Sequence, residues 1–211
     1  SQLLRDYQTA GLDPDGRILI EQFLREWNAS EAGRALILDT FFSTQDPELA
    51  TSLYNLMLDA DIKDLQLVVE LIRRDGSEQS LQTKTRIVDL IADLTAQDES
   101  PYSPEIDAYL AQLALHPEAD LRNTAKIRRA WYVTRLQTGN TEVVKEYLLD
   151  SSPALRSEMF ELVESRAGAW EAADRLEITL TLKSLVYADY LGVTADEKAR
   201  IQTLIDALHE I

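Results

Sequence analysis

Five residues close together in the chain have the types and spacing to recognise an anion. Arg122, Lys126 and Arg129 fall at i, i+4 and i+7, which places them along one face of a helix, and Trp131 and Tyr132 follow immediately. A row of guanidinium and ammonium groups pairs with carboxylates or phosphates, and an aromatic ring beside it supplies an apolar anchor. In a functional reading, the row receives an acidic segment of another protein. In a structural reading, it pairs with Glu158, Glu161 and Glu164 of a later helix and holds the fold together.

Other chemistry-bearing residues are sparse or scattered. There is no cysteine, which excludes disulfides, thiolate nucleophiles and cysteine-ligated metals. The two histidines, His116 and His209, are far apart, so a transition-metal site is not expected. The chain contains no G-x-S-x-G, no P-loop and no dinucleotide glycine fingerprint. Asp59 with Asp61, and Asp89 with Asp93, are spaced for acid–base work, but carboxylates at this density belong on solvated faces. The expectation is therefore no catalytic residue and no cofactor.

The region before Phe23 carries a more local pattern: Asp13, Asp15 and Gly16, with Ile18 two positions after the glycine, between two helical stretches. It resembles an EF-hand loop, in which carboxylates alternate around a tight turn that glycine permits. The resemblance implies Asp13, Asp15, the carbonyl of Arg17 and Gln22 as calcium ligands. The first ligand position is Gly11 and the last is Gln22, so neither end supplies a carboxylate, and Pro14 stiffens the turn. An Asp-Pro-Asp-Gly turn chosen for its geometry is the preferred reading, and no metal is expected.

The elements that must position these residues read as helices throughout. Ser103-Pro104, Ser152-Pro153 and Asp46-Pro47 each set a capping side chain before a proline at the first helical position, where its missing N–H is not needed. Thr194 with Glu197 makes a capping box, and Ser30, Asp61, Ser77 and Thr141 are further caps. Apolar stripes of helical period follow: Leu65, Val68, Val69 and Ile72; Ile87, Leu90, Ile91 and Leu94; Ile106, Tyr109, Leu110 and Leu113. The same period recurs in Leu155, Met159, Leu162 and Val163, in Ile201, Leu204, Ile205 and Leu208, and earlier around Ile20 and Leu49. Short breakers separate them, among them Asp75-Gly76, His116-Pro117, Gly139-Asn140 and Gly192. The expectation is an all-α chain of about eleven helices without strands.

A longer period overlies the helical one. Asp120-Leu121-Arg122 with Ala125 resembles the opening of the second helix of a HEAT-type repeat, and Ser152-Pro153-Ala154-Leu155-Arg156 repeats the theme 34 residues later. Asp46-Pro47-Glu48-Leu49 is a weaker copy without the arginine. The resemblance covers about residues 46–166 and implies a right-handed array of antiparallel helix pairs, since one pair cannot bury its own apolar faces. The expected layout is one domain over 1–211, with an N-terminal helical cap at 1–45 and stacked pairs over 46–211.

A net charge of −16 opposes nucleic-acid backbones and anionic membranes, and no apolar run approaches the roughly 20 residues that cross a bilayer. A chain opening at Ser1 reads as a mature or truncated product; together with the absence of cysteine this favours the bacterial cell envelope, the periplasm, over the cytoplasm. The function expected is a non-enzymatic protein–protein interaction or scaffold module. The alternatives are a calcium-responsive regulator acting through the Asp13–Gln22 turn and, disfavoured by acidity, a helical-repeat lyase or glycosylase.

Overall fold

The computed structural model describes residues 26, 30–43, 65–75, 81–96, 101–137 and 140–210. The Asp13–Gln22 turn, the stripes around Ile20 and Leu49, and the caps at Asp46, Asp61 and Ser77 lie outside the described residues. Among the described residues there are nine α-helices and no strand. They are α1 (Glu31–Ser43), α2 (Leu65–Arg74), α3 (Leu81–Thr95), α4 (Pro104–Leu113), α5 (Ala119–Leu136), α6 (Glu142–Leu148), α7 (Pro153–Arg166), α8 (Ala172–Val186) and α9 (Ala195–Glu210). Two single 3₁₀ turns, at Ala167–Ala169 and Asp189–Leu191, join α7 to α8 and α8 to α9. None of the described helices is long and apolar enough to cross a membrane.

The chain divides into two compact units, Ser1–Leu90 and Ile91–Ile211. In the first, Ile37 and Phe41 of α1, Val68, Val69 and Leu71 of α2, and Ile87, Val88 and Leu90 of α3 are buried. Arg86 stacks its guanidinium on the Phe41 ring at 5.7 Å, and Lys84 reaches Asp75 at 2.7 Å, tying the start of α3 to the end of α2.

In the second unit every expected stripe points inward. Ile106, Tyr109, Leu110 and Leu113 of α4 are buried, as are Leu155, Met159, Leu162 and Val163 of α7 and Ile201, Leu204, Ile205 and Leu208 of α9. Consecutive helices pack as α4 on α5, α6 on α7 and α8 on α9. α5 also packs on α6, and α5, α6 and α7 each pack on the helix two ahead: α5 on α7, α6 on α8 and α7 on α9. A helix with a single apolar face satisfies one neighbour; α7, with Phe160 added to its stripe, presents apolar surface to several.

The helix starts follow the cap chemistry in part. Ser152 Oγ accepts from the Leu155 amide, and Ser30 Oγ accepts from that of Gly33. The Thr194–Glu197 box is reciprocal: the Thr194 amide donates to the Glu197 carboxylate at 2.9 Å and the Glu197 amide donates to Thr194 Oγ1 at 3.2 Å. Ser103 and Thr141 precede helices but make no side-chain cap. Ser103 Oγ turns instead to Glu105 at 3.2 Å. Gly192, at φ +61°, makes the left-handed turn before α9 that a side chain would strain.

Arg122 and Arg156, matched by the 34-residue offset, behave alike. Arg122 Nη1 donates to the carbonyl of His116, and Arg156 Nη1 to that of Asp150, in each case six residues back. Each arginine thus satisfies a loop carbonyl just ahead of its own helix.

Candidate interaction surface on α5

The three cations of the sequence row are engaged within the fold. Lys126 Nζ lies 2.5 Å from Asp150 Oδ2 and 5.7 Å from the centre of the Tyr147 ring. Arg129 Nε donates to Asp107 Oδ1 at 2.7 Å and its Nη1 to the Tyr147 hydroxyl at 3.3 Å. Arg122 binds the carbonyls of His116 and Pro117. The carboxylates that meet the row are therefore Asp107 of α4 and Asp150 of the α6–α7 loop. Of the expected glutamates, Glu164 faces Arg200 of α9, 3.3 Å away.

Electrostatics follow from this geometry. Desolvation works to raise the Asp150 pKa, but the Lys126 ammonium and the Ser152 amide outweigh it and hold the carboxyl below its ordinary value. Desolvation likewise opposes the charged form of Arg129, and its hydrogen bonds to Asp107 and Tyr147 outweigh that, raising its pKa. Burial pushes the Tyr147 hydroxyl up, with Arg129 opposing.

Tyr132, expected as an apolar anchor for a partner, is fully buried. Its hydroxyl accepts from the Ser103 amide at 2.7 Å, and its ring stacks on that of Tyr102 at 5.7 Å. Burial, with the Ser103 bond opposing, pushes its pKa up to about 12. Tyr102 in turn donates to Asp107 Oδ2 at 3.0 Å, so Asp107 joins Tyr102, Arg129 and, through them, Tyr132 and Tyr147 into one polar seam between α4, α5 and α6. Tyr132 serves this seam and presents nothing to solvent, because this side of α5 packs against α4.

Trp131, one residue earlier, faces the other way. It is half-buried and lines a recess of about 170 Å³ with Arg128 and Arg135 of α5 and Ala92, Thr95 and Ala96 at the end of α3. Arg128, Trp131 and Arg135 stand at i, i+3 and i+7, so one face of α5 carries an indole between two guanidinium groups. The small side chains of α3 leave the space. Arg135 Nη2 donates to the Ala96 carbonyl at 3.0 Å. The Nε of Arg128 is buried and has no hydrogen-bond acceptor.

The cationic row of the sequence and this recess share α5, and Trp131 belongs to both. Arg128 and Arg135 carried their own i, i+7 signal, masked by their neighbours Arg129 and the aromatic pair. Among the described residues no group of three or more His, Asp or Glu is placed to hold a metal ion. Asp89 and Asp93 lie one turn apart on α3, while Asp59 and Asp61 are outside the described residues. Comparison of the chain with protein-family models, with curated proteins and with solved structures gives no match.

Proposed function

We propose that this chain is a non-enzymatic interaction module that receives an acidic segment of another protein on α5. The observation that carries the reading is the half-buried Trp131 between the guanidinium groups of Arg128 and Arg135 at an open recess. Trp and Arg dominate the energetics of protein interfaces, and a guanidinium beside an indole offers a carboxylate and an apolar side chain of one partner a place each. On a body of net charge −16, Arg128 and Arg135 set two cations around Trp131, which makes this face the one where an anionic segment is least repelled. Lys126 and Arg129 are met by Asp150 and Asp107 and Arg122 by loop carbonyls, so the row holds the fold, and Trp131 supplies the apolar anchor.

A HEAT-like array of antiparallel helix pairs is the architecture we propose for the second unit. Two features support it: the alternation of packing between adjacent helices and helices two apart, and the equivalent loop contacts of Arg122 and Arg156.

The test is fluorescence anisotropy with a labelled octaglutamate peptide. Binding should fall about tenfold or more in Trp131→Ala and in Arg128→Gln, whereas octalysine, which a body of net charge −16 attracts elsewhere, should bind wild type and both variants alike. Equal binding by wild type and both variants would refute the assignment of this recess.

A further inference from the structure

The recess on α5 has two unlike walls. The α3 wall is built from Ala92, Thr95 and Ala96, and the Thr95 hydroxyl donates to the Ile91 carbonyl at 2.6 Å. The Ala96 carbonyl accepts from Arg135 Nη2 at 3.0 Å. On this side an occupant meets methyl groups and polar atoms already in use. The α5 wall is the half-buried Trp131, with the guanidinium groups of Arg128 and Arg135 three residues before it and four after.

Size and chemistry together restrict what fits. The recess measures about 170 Å³, and an apolar cavity of about 150 Å³ holds one benzene molecule. A glutamate carboxylate pushed against the alanine wall would lose its water and find no donor there, so a plain run of acids leaves the space unfilled. A ring-sized apolar side chain fills it. Between an aliphatic and an aromatic side chain the α5 wall decides, because an indole edge or face pairs with a second ring and a guanidinium stacks on an aromatic face.

The geometry points to an acidic segment that carries one aromatic residue, its ring entering the recess against Ala92 and Ala96 and beside the Trp131 indole. A carboxylate of the same segment then meets Arg128. Side chains two residues apart on an extended segment share a face about 7 Å apart, close to the step of about 5–6 Å from Trp131 to Arg128 along α5, so ring and carboxylate reach their places together. Such a ring presupposes the reading of α5 as the receiver of an acidic segment, and it specifies that segment as a mixed one.

Fluorescence anisotropy of the full chain compares labelled octaglutamate with the same octapeptide carrying phenylalanine or leucine in fifth place. Either replacement removes one carboxylate, so charge alone would make both peptides weaker ligands. The phenylalanine peptide should instead bind about tenfold tighter than octaglutamate, and tighter than the leucine peptide. Ala92→Leu fills the recess without touching a charge and should erase the advantage of phenylalanine over octaglutamate. Ala96→Leu, at an exposed position, repeats that test in case the first substitution disturbs the circular dichroism of the protein. Equal binding of the three peptides, with octaglutamate still sensitive to Trp131→Ala, overturns the aromatic ring and leaves the acidic-segment reading standing. A phenylalanine advantage that survives both substitutions also overturns it, as does a leucine peptide that binds as tightly. Failure of all three peptides to bind overturns the ring and the acidic-segment reading together.

Discussion

Replacing Arg156 by alanine should cost the second unit a large part of its stability. The side chain is 0% exposed and forks onto Glu197, Nε to Oε1 at 2.9 Å and Nη2 to Oε2 at 3.2 Å, while Nη1 satisfies the Asp150 carbonyl at 2.9 Å. Truncation leaves the Glu197 carboxylate, itself only 16% exposed, without its counter-charge, orphans a carbonyl and opens a cavity between α7 and α9. Removing one partner of a buried pair costs about 3–5 kcal/mol. At about 2–4 °C per kcal/mol for a chain of this size, the melting temperature should fall by about 6–20 °C. The cost belongs mainly to the stranded charge, so Arg156→Met with Glu197→Met should recover much of it. A deficit of about 1 kcal/mol should remain in that double variant, because Glu197 also accepts from the Thr194 amide and closes the cap of α9. Urea unfolding followed by circular dichroism at neutral pH measures all three variants. A loss below about 1 kcal/mol for Arg156→Ala, or a double variant as unstable as the sum of its singles, would refute the account of this pair as a desolvated lock between α7 and α9.

Two further outcomes follow from the same seam of charges. Reversing Lys126 to Glu puts a carboxylate against Asp150, with both native side chains less than a fifth exposed, so stability should fall by about 2–3 kcal/mol in thermal or urea unfolding; an unchanged melting temperature would mean that the pair is not formed in solution. Asp150 and Glu197 both have folded pKa values held below the ordinary 3.8 and 4.5, Asp150 by Lys126 and the Ser152 amide and Glu197 by Arg156 and Thr194, each against desolvation. Their contribution is present above those ordinary values and is lost as pH falls through the folded ones, so unfolding free energy should drop below about pH 4.5; in Asp150→Asn that acid limb should become shallower, and an identical limb would contradict the assignment.

Much of the secondary structure was legible in the chain because it is a local property. The Thr194–Glu197 box, the Ser152-Pro153 start and the buried stripes of α4, α7 and α9 each depend on residues within a few turns of one another, and the spacing alone carries them. The position of α5 and its cationic face were readable for the same reason. So was the equivalence of Arg122 and Arg156, although the sequence pattern could not say what the two arginines hold.

Which side chains of α5 are enclosed and which stay open was decided only by tertiary structure. The carboxylates that occupy Lys126 and Arg129 come from Asp150 and Asp107, 24 residues after one and 22 before the other, and many acidic residues elsewhere were equally eligible by charge. Tyr132 and Trp131 are neighbours in sequence, yet a rotation of about 100° along the helix sends one under α4 and the other to the recess at the end of α3. The same holds for α8, where residue type does not separate the buried side chains from the open ones. Ile178 and Leu182 are enclosed while Leu176 and Leu180 are open, because the packing of α6 and α9 covers one apolar face and not the other. Periodicity determines which side chains share a face, whereas what that face meets depends on long-range packing that no local spacing encodes.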